Sequence, residues 1–165
     1  MPRSKKPDRK GRPIILDMLG GDKDAFLNTV PHAKAIGMEL VEIGAASGVL
    51  KIPYSKKLIG YPKTGVVHGG VITTLLDTAL GLAVICALEE LVPIATLDLR
   101  IDYMKAATPG ETIFARAECT QITKRIAFVN GAAYHSDPED PIATSVAAFM
   151  LKSNSMPPHK LALQD

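Results

Sequence analysis

The chain has 165 residues, of which 47% are hydrophobic and 22% are charged, enough for one domain with a buried core. Aromatic residues make up only 5% and tryptophan is absent, which argues against stacking platforms for nucleic-acid bases. The net charge of +2 misleads, because residues 1–12 hold six basic residues and one acid, leaving −3 on the rest. That mildly acidic body offers no broad basic face for nucleic acid or a membrane surface.

The domain organisation that these features predict is simple. We interpret residues 1–12 as a disordered basic tail and residues 13–165 as a single domain. A secretory signal needs an apolar core of about seven residues or more, whereas only residues 14–16 provide one before an acid interrupts. Cys86 and Cys119 lie in apolar stretches without CxxC spacing, which is typical of free thiols in a reducing compartment. The sequence therefore predicts a cytoplasmic protein.

The first predicted elements are a short helix and a hairpin. The helix is predicted over residues 23–30, with Asp22 as a candidate N-cap. The segments MELVEIG at 38–44 and GVLKIPYS at 48–55 are typical of two strands joined by a short turn. A loop rich in Gly and Pro follows over residues 56–65.

The longest apolar element is a helix predicted over residues 70–88. It contains no Pro, is too long for a strand and is apolar nearly all round, which predicts burial on most of its sides. A membrane span is disfavoured because Asp77 lies in the middle, at a cost of about 2.5–3.5 kcal/mol on insertion scales. The uncharged run after Asp77 is also only 11 residues long.

The last third of the chain predicts four strands, over residues 94–106, 111–123, 125–135 and 142–151. Two strands, one long helix and four further strands make an α+β fold. We expect about six antiparallel strands wrapped around one long central helix. The open edges of such a sheet favour pairing between subunits.

Asp77 is the first candidate for chemistry, because it is flanked by apolar residues on the long helix. A buried carboxylate must be paired, hydrogen-bonded or protonated. It is therefore either satisfied by a core hydroxyl from Thr73, Thr74 or Thr78, or placed to act as a general base. The residues alone leave both readings open, and the neighbouring motif favours function.

Gly69 and Gly70 form the second candidate, at the start of the helix. A helix N-terminus leaves about four N–H groups unpaired, and paired glycines let a ligand approach them, as an oxyanion site requires. A tight turn that feeds a helix is the alternative. We interpret His68 as a brace for this loop, since no His shows paired metal-ligand spacing, and we predict no metal. Nothing near Cys86 in the sequence favours a nucleophilic thiol.

The spacing of these candidates constrains the site. Gly69 and Asp77 are eight residues apart, which separates them by about 12 Å on one helix. One chain's pair therefore cannot easily serve one carbonyl group. Two antiparallel copies of the helix across a two-fold axis would place Gly69 of one beside Asp77 of the other. If both residues are catalytic, the site lies at an interface.

The run GVVHGG at residues 65–70, followed by Leu76-Asp77 and Gly81, resembles the signature of PaaI-type hotdog-fold acyl-CoA thioesterases. Residues 95–111 are similar to the strand that follows the helix in that family, and the resemblance spans residues 35–151 in element order. It implies hydrolysis of an acyl-CoA to the free acid and CoA, without a cofactor. It also implies dimers, commonly assembled into homotetramers.

The resemblance assigns roles to three residues. Asp77 would either attack the thioester as a nucleophile or activate water as a general base, the backbone N–H of Gly69 would polarise the thioester carbonyl, and Thr96 would help to position water. His68 and Gly70 would contribute to substrate binding. Tyr61 and Pro62 stand where many members have an Asn, and the Tyr61 hydroxyl is a candidate replacement.

The sequence leaves two alternatives for each further candidate contact with the substrate. Lys124 and Arg125, at a predicted turn, either meet CoA phosphates or form an ordinary solvated turn. Four apolar residues are candidates for the lining of the acyl pocket, and the alternative for each is a place in the core: Leu58, Ile59, Leu80 and Val84. The missing Asn also keeps a second function open, a non-catalytic acyl-CoA binding or sensing protein. A hydratase on this fold is a weaker third alternative.

Overall fold

The computed structural model describes residues 13, 15–16, 20 and 24–152. Helix α1 (Asp24–Asn28) confirms part of the first predicted helix, whose candidate cap Asp22 lies outside the described residues. Helix α2 (Pro31–Ala35) was not predicted. Its proline occupies the first turn, where a missing N–H costs nothing.

The main sheet confirms the predicted α+β fold. Its six strands are antiparallel in the order β1-β2-β6-β7-β8-β5. A second, two-stranded sheet pairs β3, inside the segment predicted as a loop, with β4, which directly follows that segment. The strands are β1 (Glu39–Ile43), β2 (Ser47–Ile52), β3 (Ile59–Tyr61), β4 (Val66–Val67), β5 (Ile94–Tyr103), β6 (Ile113–Ile122), β7 (Ile126–Tyr134) and β8 (Ala143–Leu151).

Alternation of side chains along the strands creates one inner face. In β8, every second residue from Ala143 to Leu151 is buried, and in β6 the same holds from Ile113 to Cys119. Several inner positions are small, which lets a helix lie close to the sheet. These small inward residues are Gly48, Ala115, Ala117, Gly131, Ala133, Ala143, Ser145 and Ala147.

Helix α3 (Gly69–Ala87) covers this inner face and confirms the predicted central helix. By length and composition this helix could also cross a membrane, and about half of it is buried within the fold. The expectation of an apolar surface nearly all round is wrong. One side carries half-exposed residues, Gly69, Thr73, Thr74, Asp77, Thr78, Gly81 and Ile85. We call this the polar stripe.

Gly48 on β2 lies tightly against α3, which makes a testable prediction about packing. A Cβ at Gly48 would lie 2.5 Å from Cδ2 and 2.8 Å from Cγ of Leu82, a fully buried residue of α3. Because Leu82 is enclosed in the core and would have to shift, Gly48→Ala should lower the free energy of unfolding by about 1–3 kcal/mol, measured by urea denaturation.

Leu82→Ala provides the control for this prediction. That substitution removes both clashing atoms, so Gly48→Ala introduced into Leu82→Ala should cost little or nothing. An equal cost in both backgrounds would show that the glycine is needed for a reason other than contact with the helix.

Candidate active site

Helix α3 begins at a capped turn. His68 is its N-cap, and Nδ1 of His68 accepts a hydrogen bond from the N–H of Gly70 at 2.9 Å. The carbonyl oxygen of His68 accepts from the N–H of Val71 at 2.9 Å. Of the first three amides of α3, only that of Gly69 has no hydrogen-bond partner within the described part of the chain. This amide, at the positive end of the helix, can donate to an anionic oxygen.

Three glycines surround this turn, and two are explained by packing. A Cβ at Gly60 would lie 2.9 Å from Cα of His68, and one at Gly70 would lie 2.9 Å from Nδ1 of the same residue. At Gly69 the nearest atom to an added Cβ is the hydroxyl oxygen of Tyr103 at 3.5 Å, an ordinary contact. Folding therefore does not demand glycine at position 69, and a glycine there leaves its amide open to a ligand.

Asp77 lies two turns further along the polar stripe, where Oδ1 accepts a hydrogen bond from Oγ1 of Thr96 at 2.9 Å. Thr96 is on β5, opposite the inward-facing Phe149, and the ladder has a bulge between Thr96 and Asp98. Such bulges often re-aim a side chain beside an active site. The expectation of a carboxylate enclosed within the core is wrong for the single chain, because Asp77 is half-exposed.

The threonines of α3 do not satisfy Asp77. Thr73 donates to the carbonyl of Gly69 at 3.3 Å, and Thr74 to that of Gly70 at 3.0 Å. Thr78 donates to the carbonyl of Thr74 at 2.8 Å. The second carboxylate oxygen, Oδ2 of Asp77, accepts no hydrogen bond within the described residues. A purely structural carboxylate is therefore disfavoured, and Oδ2 is available to a water molecule.

Two grooves of about 340 Å³ each flank the start of α3. One contains basic side chains beside apolar ones and is lined by His32, Ile36, Lys57, Leu58, Ile59, Gly60, His68, Gly70, Val71 and Thr74. The other is mostly apolar and is lined by Val66, Val67, Gly69, Ile72, Tyr103, Met104, Lys105, Ala106 and Ala107. A ligand bound at the amide of Gly69 could therefore extend in two directions.

The cysteines do not contribute a nucleophile. Burial raises the pKa of the Cys86 thiol to about 12, so the thiolate is scarce near neutral pH. Burial also raises the pKa of Cys119, which outweighs the opposing effect of its hydrogen bond to the backbone of Gln121. Both cysteines are free thiols, and the expectation of an inert pair agrees with their burial.

Comparison with known proteins gives this site a family. The family model described as "Thioesterase superfamily" matches residues 64–142, which include the start of α3, Asp77 and Thr96. A Pseudomonas aeruginosa protein of known crystal structure is 42% identical, with a TM-score of 0.72, over 79% of this chain and 96% of that one. The chain belongs to the thioesterase superfamily. The predicted family and the predicted thioester hydrolase class are confirmed at this level.

Curated relatives of this thioesterase superfamily member extend the comparison. The medium/long-chain acyl-CoA thioesterase YigI of Escherichia coli is 26% identical over 78% of this chain and 90% of its own length. A putative esterase of Halobacterium salinarum is 41% identical over 44% of this chain, and the match spans only half of that protein. The Escherichia coli PaaI protein, at 17% identity and a TM-score of 0.69, shares the fold.

The structure brings only some of the predicted site residues together. Thr96 contacts Asp77, and His68 contacts Gly70. Tyr61 lies on the small hairpin, is 56% exposed and lines neither groove. The replacement of the family Asn by its hydroxyl stays a prediction.

Other predicted contacts fall elsewhere. Lys124 and Arg125 are exposed at the turn between β6 and β7. The backbone carbonyl of Arg125 accepts a hydrogen bond from the N–H of Leu151, at the end of β8. The loop that follows β5 lies at the other end of β8, beside Ala143. They line neither groove. Leu58 and Ile59 line the basic groove. The other two acyl-pocket candidates, Leu80 and Val84, are fully buried core residues.

Sequence reasoning missed Tyr103, whose hydroxyl donates to the carbonyl of Gly69 at 2.9 Å. It also missed Lys57, which lines the basic groove. Tyr103 shares the inner face of β5 with Leu99 and Ile101, which pack against the core. Strand alternation alone could have placed Tyr103 toward the helix, but the residue it meets there depends on the register of β5 against α3.

Proposed function

We propose that this protein hydrolyses acyl-CoA thioesters to the free acid and CoA. The observation that carries the proposal is the hydrogen bond from Thr96 to Oδ1 of Asp77, which leaves Oδ2 free on a half-exposed face. The second support is the amide of Gly69 at the positive end of α3, which no described residue accepts a hydrogen bond from. A carboxylate base and an oxyanion donor are the two groups that acyl transfer to water requires.

In the proposed reaction Asp77 acts as general base. Oδ2 takes a proton from a water molecule as the water oxygen bonds to the thioester carbonyl carbon. The carbonyl oxygen becomes an oxyanion and accepts a hydrogen bond from the N–H of Gly69. When the oxyanion collapses, the C–S bond breaks and the departing CoA thiolate takes the proton back from Asp77. The hydroxyl of Thr96 fixes the carboxylate so that Oδ2 faces the water.

The site requires two subunits. Asp77 and Gly69 of one chain are about 12 Å apart along α3, whereas the carbonyl carbon and oxygen they serve are joined by one bond. Strand β5 is at the edge of the main sheet, and within the described residues its outer side has no partner strand. Antiparallel pairing of two β5 strands would set two α3 helices side by side in opposite directions. Sedimentation should therefore find an active dimer or larger assembly, and an active monomer would contradict the shared site.

The substrate class is supported by the grooves and the relatives. The apolar groove has room for an acyl group, and the basic groove carries Lys57 and His32, which suit the phosphates or polar arm of CoA. The relative YigI is named a medium/long-chain acyl-CoA thioesterase. Chain-length preference then depends on how deeply an acyl chain enters between Ile72 and Met104.

The direct test is release of free CoA from a panel of acyl-CoAs that spans short, medium and long chains and aryl thioesters. We expect saturable turnover with at least one class. Equilibrium binding of the same compounds is measured alongside, so that binding and turnover can be compared for each acyl-CoA.

The second candidate function is a non-catalytic acyl-CoA binding protein. It is favoured by the Tyr61-Pro62 pair, which stands where many family members have an Asn. Tight binding of acyl-CoA without turnover of any panel member would establish this function and exclude hydrolysis.

A further inference from the structure

We infer that Tyr103 is a positioning residue that holds the amide of Gly69 in the direction needed for catalysis. This inference rests on the proposed function of Gly69 as the oxyanion donor. Tyr103 lies at the end of β5, in a different element from α3, and is 50% exposed. It lines the apolar groove beside Gly69.

Tyr103 contacts the first residue of α3 directly. The hydroxyl of Tyr103 donates to the carbonyl oxygen of Gly69 at 2.9 Å. The same hydroxyl oxygen lies 2.9 Å from Oγ1 of Thr73, which is itself 3.3 Å from the carbonyl of Gly69. These three groups form a closed triangle in which each hydroxyl proton has an acceptor.

The peptide group that joins Gly69 to Gly70 is held at both ends. Its carbonyl is held by Tyr103 on one side, and its N–H is held by Nδ1 of His68 on the other, at 2.9 Å. Because a peptide group is planar, fixing both ends fixes its orientation.

The preceding peptide group, which carries the N–H of Gly69, is anchored as well. Its carbonyl, from His68, accepts the N–H of Val71 at 2.9 Å, and the N–H of His68 donates to Leu58 at 2.8 Å. The chain is therefore anchored on both sides of the Gly69 Cα. Glycine has the widest backbone freedom of any residue, so these anchors decide where its free amide points.

Among these anchors, Tyr103 is the only one that comes from β5. The other groups that fix the turn belong to α3 and its N-cap (His68, Val71, Thr73) or to the short turn before β3 (Leu58). Tyr103 therefore ties the oxyanion donor to the same strand that presents Thr96 to Asp77. One strand thus positions both parts of the proposed machinery.

The test is Tyr103→Phe, which removes the hydroxyl and keeps the ring. We expect kcat to fall about five- to tenfold with little change in KM, because the lost contact acts on the transition state rather than on substrate binding. Tyr134→Phe is the matched control, since the ring of Tyr134 stacks on Phe114 away from α3, and it should leave kcat unchanged.

A double-mutant cycle separates positioning from general damage. In a Gly69→Pro background the donor is absent, so Tyr103→Phe should have no further effect on kcat. If the substitution costs the same factor in both backgrounds, Tyr103 acts independently of the Gly69 amide and the inference is wrong.

Amide hydrogen exchange measured by NMR tests the same claim without any turnover. We expect the Gly70 amide to exchange about five- to tenfold faster in Tyr103→Phe than in the wild type, with no change in Tyr134→Phe. Unchanged exchange would overturn the inference even in an active enzyme. Faster exchange in a protein that never releases CoA would sustain the positioning claim and reject the proposed function alone.

Discussion

Asp77→Asn should lower kcat for CoA release by about 10²–10⁴-fold, the usual contribution of a general base. The amide keeps Oδ1, so the hydrogen bond from Thr96 at 2.9 Å can still form. What is lost is the basic oxygen Oδ2, which the proposed mechanism uses to take the proton of water. Steady-state kinetics on the best substrate of the acyl-CoA panel measures the effect.

The control for this prediction is Glu118→Gln. Glu118 is an exposed carboxylate on the outer side of β6, and its neutralisation makes the same change in net charge. We expect unchanged kcat for this variant and unchanged thermal stability for both. If Asp77→Asn retains most of its activity, Asp77 is not the base, whatever its position beside Thr96.

Gly69→Pro should lower kcat by about 10²–10³-fold, the usual cost of one oxyanion donor. The position is well suited to the substitution, because Gly69 is the first residue of α3, where proline is favoured and no intrahelical N–H bond is lost. The preceding residue, His68, has φ −61° and ψ 134°, a conformation that a following proline accepts. The helix should therefore stay intact while the N–H disappears.

Gly69→Ala is the matched variant, because it keeps the N–H and adds only a Cβ at 3.5 Å from the hydroxyl of Tyr103. The ratio of kcat between the two variants reports the loss of the amide, separate from added bulk near the substrate. Unchanged affinity for the product CoA would show that the proline ring does not close the site. Equal rates for the two variants would exclude the Gly69 amide as a donor.

The fold was largely predictable because its signals are local. Alternation over β6 and β8 and the long apolar run of α3 each identify an element without knowledge of its neighbours. The hairpin of β3 and β4 was not predictable in this way. Its strands are three and two residues long, too short for any periodicity, and Gly65 between them requires a φ of +73° that glycine adopts readily.

The polar stripe of α3 was misjudged for a physical reason. Thr73, Thr74 and Thr78 are moderately polar, and in sequence they look compatible with a core. Each hydroxyl bonds back to a carbonyl of its own helix, so these residues can lie on a half-exposed face without another partner. The spacing of Thr73, Asp77 and Gly81 by four residues was the available signal for one shared face.

The site was only half predictable. Gly69 and Asp77 lie on one helix, so their separation followed from helix geometry alone. Thr96 is 19 residues from Asp77 and lies beside a bulge in β5, so no local pattern predicts their contact. The family resemblance indicated Thr96 only as a residue that helps to position water. Tyr103 is 34 residues from Gly69, and neither pattern nor resemblance indicated it.

The central claim is that one thioester is served by Asp77 of one subunit and by the amide of Gly69 of its neighbour. Its most direct test is to mix the Asp77→Asn and Gly69→Pro proteins after each has been shown to be inactive, under conditions in which subunits exchange. Each mixed dimer then contains one site with both residues intact, so about a quarter of the wild-type activity should return. Persistent inactivity, with subunit exchange demonstrated, would place both groups in the same chain and contradict the shared site.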